Sequence, residues 1–113
     1  MKECIVRQNK SGLYHICGYK PELYKGEHCF LLFDKEVKST REIDDFIFRF
    51  GRKFNYFVEV KNRNHWKKRR YFREYREVYD YFYRQTISSK NRNYHVILYG
   101  KQGDGNFQII AIR

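Results

Sequence analysis

Eight cations crowd one short stretch of the chain. Lys61, Arg63, Lys67, Lys68, Arg69, Arg70, Arg73 and Arg76 stand against Glu74 alone, so seven of the eleven net positive charges of this 113-residue sequence fall between positions 61 and 76. Ammonium and guanidinium groups hold phosphate oxygens without reading base sequence. His65 and Trp66 interrupt the run with rings of a kind that stacks on unpaired bases. Residue types in this pattern predict contact with a polyanion, DNA or RNA, and all ten of these basic and aromatic residues are candidate contacts.

The spacing predicts that a helix carries them. Asn64 is a suitable N-cap, and Phe72, Tyr75, Tyr79, Phe82 and Thr86 recur at intervals of three and four up to about position 86. At about 100° per residue, Arg69, Arg70, Arg73, Arg76 and Arg84 project away from Phe72, Tyr75, Tyr79 and Phe82, and Tyr71 and Tyr81 lie on the flank between them. Cations in a helix's first turns oppose the helix dipole, so Lys67 to Arg70 contradict what folding alone prefers. A bound phosphate is a natural compensating partner. Pairs such as Arg70 with Glu74 and Arg76 with Asp80, four residues apart, can neutralise the later part of such a helix.

Other constellations point to different chemistry. Glu59-Val60-Lys61 resembles the E-x-K element of a class of metal-dependent nucleases, which implies a carboxylate on magnesium, a lysine orienting water, and Asp34 as the further acid. Gly12-Leu13-Tyr14 followed by Tyr24-Lys25-Gly26, together with Phe50-Gly51 and Phe57-Val58-Glu59, resembles the GIY-YIG endonucleases over residues 12 to 82. That resemblance implies roles for Tyr14 and Tyr24 in organising phosphodiester attack and for Glu74 in holding the metal. The chain departs from the family's pattern in having apolar residues from Cys29 to Phe33 where an Arg and a His are expected. Cys4, His15, Cys17, His28 and Cys29 are donors of the kind zinc takes, at spacings that match no zinc motif, so no metal site is expected. Gly100 to Gly105 lacks the strand and helix context of a phosphate-binding loop and is expected to be a hairpin tip. A third class remains open, a protein-interaction module or inhibitor whose basic helix docks on an acidic partner surface.

The elements that must position these groups follow from the apolar pattern. A length of 113 residues suits a single domain, and 21 Phe and Tyr side chains give enough ring area to close a core and exclude disorder. Extended runs are expected near residues 2–8 and 13–17, joined by the turn Asn9-Lys10-Ser11-Gly12, and again at 28–33. Ser39-Thr40-Arg41-Glu42 has the capping-box form, and Ile43, Phe46, Ile47 and Phe50 follow at helical spacing up to Gly51, a candidate left-handed cap. Residues 54–60, 94–99 and 107–112 are strand-like. The order ββ-β-α-β-α-ββ predicts an α+β fold with one mixed or antiparallel sheet of five to six strands packed against two helices. Three cysteines without paired spacing, and no stretch of about 18 apolar residues, lead us to expect a soluble, reduced, cytoplasmic setting.

Overall fold

Strand patterning gives most of the architecture, and one helix is much shorter than its spacing suggests. The structure, a computed structural model, describes residues 3–21, 29–63 and 65–113, with the side chains of 3, 19–21 and 29–33 outside the description. Tyr24, the tyrosine that the endonuclease resemblance implies, the histidine His28 and the N-cap candidate Asn64 lie outside the described residues. Strands β1 (Glu3–Gln8) and β2 (Tyr14–Pro21) form the opening hairpin. The Asn9 side chain fastens its turn by accepting from the Ser11 and Leu13 amides at 3.0 and 3.1 Å, and Gly12 supplies the left-handed residue at φ +87°. Strand β3 (Cys29–Val37) pairs antiparallel with β2.

Helix α1 (Thr40–Phe50) starts where its capping box is written. The Ser39 hydroxyl accepts from the Glu42 amide at 3.3 Å, and the Glu42 carboxylate accepts from the Ser39 amide. Replacing Ser39 by Ala is expected to cost about 1 kcal/mol, read as a lower urea midpoint; an unchanged midpoint would show that the cap contributes nothing. Gly51 closes the helix by donating its amide to Ile47 O at 2.7 Å, at φ −118° rather than in the expected left-handed conformation. Its requirement is space, because a Cβ there would sit 2.9 Å from the Phe54 ring. Ile43 and Ile47 are buried and Phe46 partly so, whereas Phe50 is exposed.

The expected helix from Asn64 to Thr86 is replaced by a strand followed by a helix. Strands β4 (Tyr56–Lys61) and β5 (Trp66–Phe72) form a tight hairpin, in which the Asn62 amide donates to His65 O at 2.8 Å and the Asn62 side chain accepts from the His65 amide at 2.6 Å. Helix α2 begins only at Tyr75 and runs to Ile87. A 3-10 turn, Ser89–Asn91, leads into β6 (His95–Lys101) and β7 (Phe107–Ile112).

All seven strands form one antiparallel sheet in the order β3-β2-β1-β5-β4-β6-β7, so the fold is α+β with one more strand than the upper expectation. The helices cover opposite faces. Ile43 and Ile47 of α1 pack on Cys4, Val6, Ile16, Phe57 and Tyr71, while Val78, Tyr81 and Phe82 of α2 pack on Val58, Val60, Val96 and Leu98. Those residues alternate along each strand, as a sheet buried on both sides requires. α2 lies over β4, β5 and β6, and among the described residues no helix covers the β1–β2–β3 half of its face. No helix among the described residues is long and apolar enough to cross a membrane.

Candidate nucleic-acid interface

Converting residues 66–72 from helix to strand splits the basic run between two faces of the sheet. A register shift between Val60 and Lys61 pairs Trp66 with Lys61 and Lys68 with Val60, and Lys67 is accommodated between them. Trp66, Arg69 and Tyr71 turn toward α1, whereas Lys67, Lys68, Arg70 and Phe72 turn toward α2.

On the α1 side the guanidinium is consumed by the fold. Arg69 is 8 % exposed and donates through Nε and Nη2 to Glu59 Oε2 at 2.9 and 2.6 Å. Its Nη1 donates to Asp44 at 3.2 Å and to the Tyr71 hydroxyl at 3.0 Å, and its plane lies over Phe57 at 4.5 Å. The buried Trp66 indole donates to the same Glu59 oxygen at 3.0 Å. Lys61 and the Tyr99 hydroxyl meet the other Glu59 oxygen at 3.2 and 3.4 Å. Burial alone raises the Glu59 carboxyl, and the charges and hydrogen bonds of Arg69 and Lys61 carry it below its ordinary value instead. Burial pushes the Tyr71 hydroxyl upward and, with the Glu59 charge adding, the Tyr99 hydroxyl to about 12. Above this network, between α1 and the β6–β7 hairpin, lies a cleft of about 690 Å³ with Phe57, Tyr99 and Phe107 in its walls and Arg52 and Lys101 among its cations.

This arrangement corrects several expectations. Trp66 and Arg69 are packed inside rather than offered to a ligand, because each completes the hydrogen bonding of Glu59. Both Glu59 oxygens are already bonded, so the Glu59-Val60-Lys61 element holds an ion pair where the nuclease reading needs a metal ligand. Asp34 lies on β3, with three strands between it and β4, and faces the other way: Lys35 follows it on the side that carries Ile16, Val6, Arg69 and Glu59. Tyr14 meets the Trp66 ring edge-on at 5.1 Å in the α1-side core, while Glu74 is the N-cap of α2 on the opposite side, so the resemblance to GIY-YIG endonucleases does not bring its residues together. Tyr71 and Tyr81, expected on the flank of the basic face, are buried. Conversely, Tyr75 and Tyr79, expected in the core, are half exposed beside Tyr56. Cys4 lies in the α1-side core, its thiol pushed by burial to about 12, and is separated by the sheet from Cys17.

On the α2 side the cations converge. Arg7 of β1 stands directly across from Lys68, and Ile5 across from Arg70. Lys68 and Arg70 lie over the Tyr81 ring at 5.5 and 4.9 Å. The Lys67 ammonium donates to Asn91 Oδ1 at 2.9 Å and to Lys90 O at 3.2 Å, and sits 5.1 Å from the Tyr94 ring centre. His65, exposed, meets the Tyr94 ring edge-on at 6.1 Å. Burial first, then Lys68 and Lys90, lower the Lys67 ammonium; burial first, then Arg7, Arg70 and Lys90, lower that of Lys68. Among the described residues, no carboxylate lies within ion-pair distance of Arg7, Lys67, Lys68 or Lys90. The remaining expected contacts are peripheral. Arg63 is exposed at the β4–β5 turn, Arg73 is partly buried after β5, and Arg76 is exposed in the first turn of α2.

Arg7, Lys90 and Tyr94 were not expected at the site. Position 7 is the outward residue of an alternating strand, and nothing local marks it. Lys90 and Tyr94 arrive through the 3-10 turn, which only the packing of α2 carries back to β5. No family model, no curated protein and no solved structure matches the chain.

Proposed function

We propose that this chain binds nucleic acid, with phosphates held by Arg7, Lys67, Lys68, Arg70 and Lys90 on the sheet face beside α2 and with His65 and Tyr94 at the edge available to stack on a base. The observation that carries the reading is the meeting of five cations from three separate chain segments, with two lysine ammoniums held down by burial and by their cationic neighbours. Keeping like charges together costs folding energy, and a polyanion recovers it. The basic surface is thus a strand-and-turn surface in place of the expected helix start. Phosphate contacts carry no sequence information, so binding through this surface is independent of base sequence.

The test is a salt titration of binding to single-stranded and duplex DNA and RNA of mixed sequence. On duplex DNA five phosphate contacts give a log-log slope near −4.5, at about 0.9 per contact, and smaller slopes on single strands. No binding at low salt, or binding indifferent to salt, overturns the proposal. Complexes that survive nuclease treatment of a lysate and contain an acidic protein would move the same surface to the protein-interaction class.

A further inference from the structure

We infer that His15, Cys17 and Asp34 form a binding site for a divalent transition-metal ion of the zinc type, on the open sheet face between β2 and β3. The three side chains each offer one ligand atom, and these atoms lie within 4.8 Å of one another. Register produces the cluster: Cys17 is directly opposite Asp34, and His15, two residues before Cys17, projects on the same side. The Cys17 sulfur is 3.9 Å from Asp34 Oδ1, and His15 Nε2 lies within hydrogen-bond reach of that same oxygen. With bonds of about 2.0 Å to nitrogen and oxygen and 2.3 Å to sulfur, the edges of a tetrahedron around zinc are about 3.3 to 3.5 Å. Small side-chain rotations on two hydrogen-bonded strands therefore suffice.

The chemistry of the set is selective. One imidazole, one thiolate and one carboxylate suit zinc, whereas magnesium and calcium take oxygen alone. Cysteine is ordinarily among the most buried residue types, as Cys4 is here. Cys17 instead is only partly buried on the outward side of β2, between a histidine and an aspartate. Glu36, directly across from His15 and exposed, is placed to serve as a fourth ligand or to give way to water. Binding deprotonates the Cys17 thiol and takes neutral imidazole, so one proton leaves the thiol and affinity rises with pH. The ion would tie the edge strand β3 to β2 through side chains as well as through backbone.

Titration of the whole chain with Co(II) as a spectroscopic substitute tests the site. One equivalent is expected to produce visible bands of tetrahedral Co(II) and a near-ultraviolet thiolate-to-metal band, both erased by Zn(II). Cys17→Ser removes the thiolate band and Cys29→Ser retains it. His15→Ala and Asp34→Asn each weaken Zn(II) binding at least tenfold, with circular dichroism unchanged because both side chains are exposed. Absence of a one-to-one complex, or a thiolate band that survives Cys17→Ser, overturns the inference. Unaltered affinity in both His15→Ala and Asp34→Asn does the same.

Discussion

Replacing Arg69 by Met is expected to cost about 3 to 5 kcal/mol, the penalty of leaving a buried charge without its partner. Glu59 is 1 % exposed, and its Oε2 accepts from both Arg69 and the Trp66 indole. Without the guanidinium, the buried carboxylate keeps only the partly exposed Lys61 ammonium on Oε1 as a counter-charge, and must take up a proton, open the core to water or persist undercompensated. A domain of this size is stable by only about 5 to 15 kcal/mol, so urea unfolding should show a large fall in midpoint. Glu59→Gln leaves the guanidinium with Asp44 as its remaining carboxylate, and Asp44 is mostly exposed; the loss should be of similar size. The double replacement Glu59→Leu with Arg69→Met removes both charges and should recover much of either single loss. A cost below about 1 kcal/mol for Arg69→Met, the range of a solvated surface pair, would contradict the geometry. The sign of the pH dependence follows from the same contacts. The folded-state value of Glu59 is lower than its ordinary value of 4.5, so its contribution is present above that value and is lost as pH falls through the lower, folded one. Glu59→Gln should therefore flatten the acid limb of the stability profile.

The Glu59–Arg69 pair also shows why the sequence misled at residues 64–74. Helical spacing of Phe72, Tyr75, Tyr79 and Phe82 was satisfied on paper, but tyrosine occupies core and surface alike. The buried positions of α2 are Val78, Tyr81 and Phe82, also spaced by three and four. The run Trp66 to Arg70 carries no apolar alternation because its inward position is taken by an arginine whose partner lies on another strand. A buried ion pair erases the hydrophobic period on which strand recognition depends. Asn62-Arg63-Asn64 between two β-rich runs was the available signal for a hairpin, since asparagine bonds its own backbone in turns. Where inward residues are apolar, as in Cys4, Val6, Ile16, Val58 and Val96, the strands were legible. The cap of α1 was legible because its partners lie within three residues. The patch was legible only in its β5 members, since Arg7 and Lys90 meet them solely through sheet pairing and helix docking.

Reversing Arg7 and Lys90 together should weaken duplex binding by about sixtyfold at 0.1 M salt. Each phosphate contact contributes about 0.9 to the log-log slope, and the contribution vanishes near 1 M, so two lost contacts remove about 1.8 decades at a tenth of that concentration. These two are the right choice because both are exposed and neither is used in packing, so the fold should survive. Lys68 and Arg70 rest on Tyr81, and reversing them would disturb α2 as well as the surface. The slope itself should fall by about two. Arg41→Glu with Arg49→Glu, exposed on α1 on the far side of the sheet, provides the control for net charge. If that pair lowers affinity as much as Arg7→Glu with Lys90→Glu does, the molecule's overall charge attracts nucleic acid and the patch beside α2 has no special part in it. If only the latter pair does so, the converging cations on the α2 side are the binding surface.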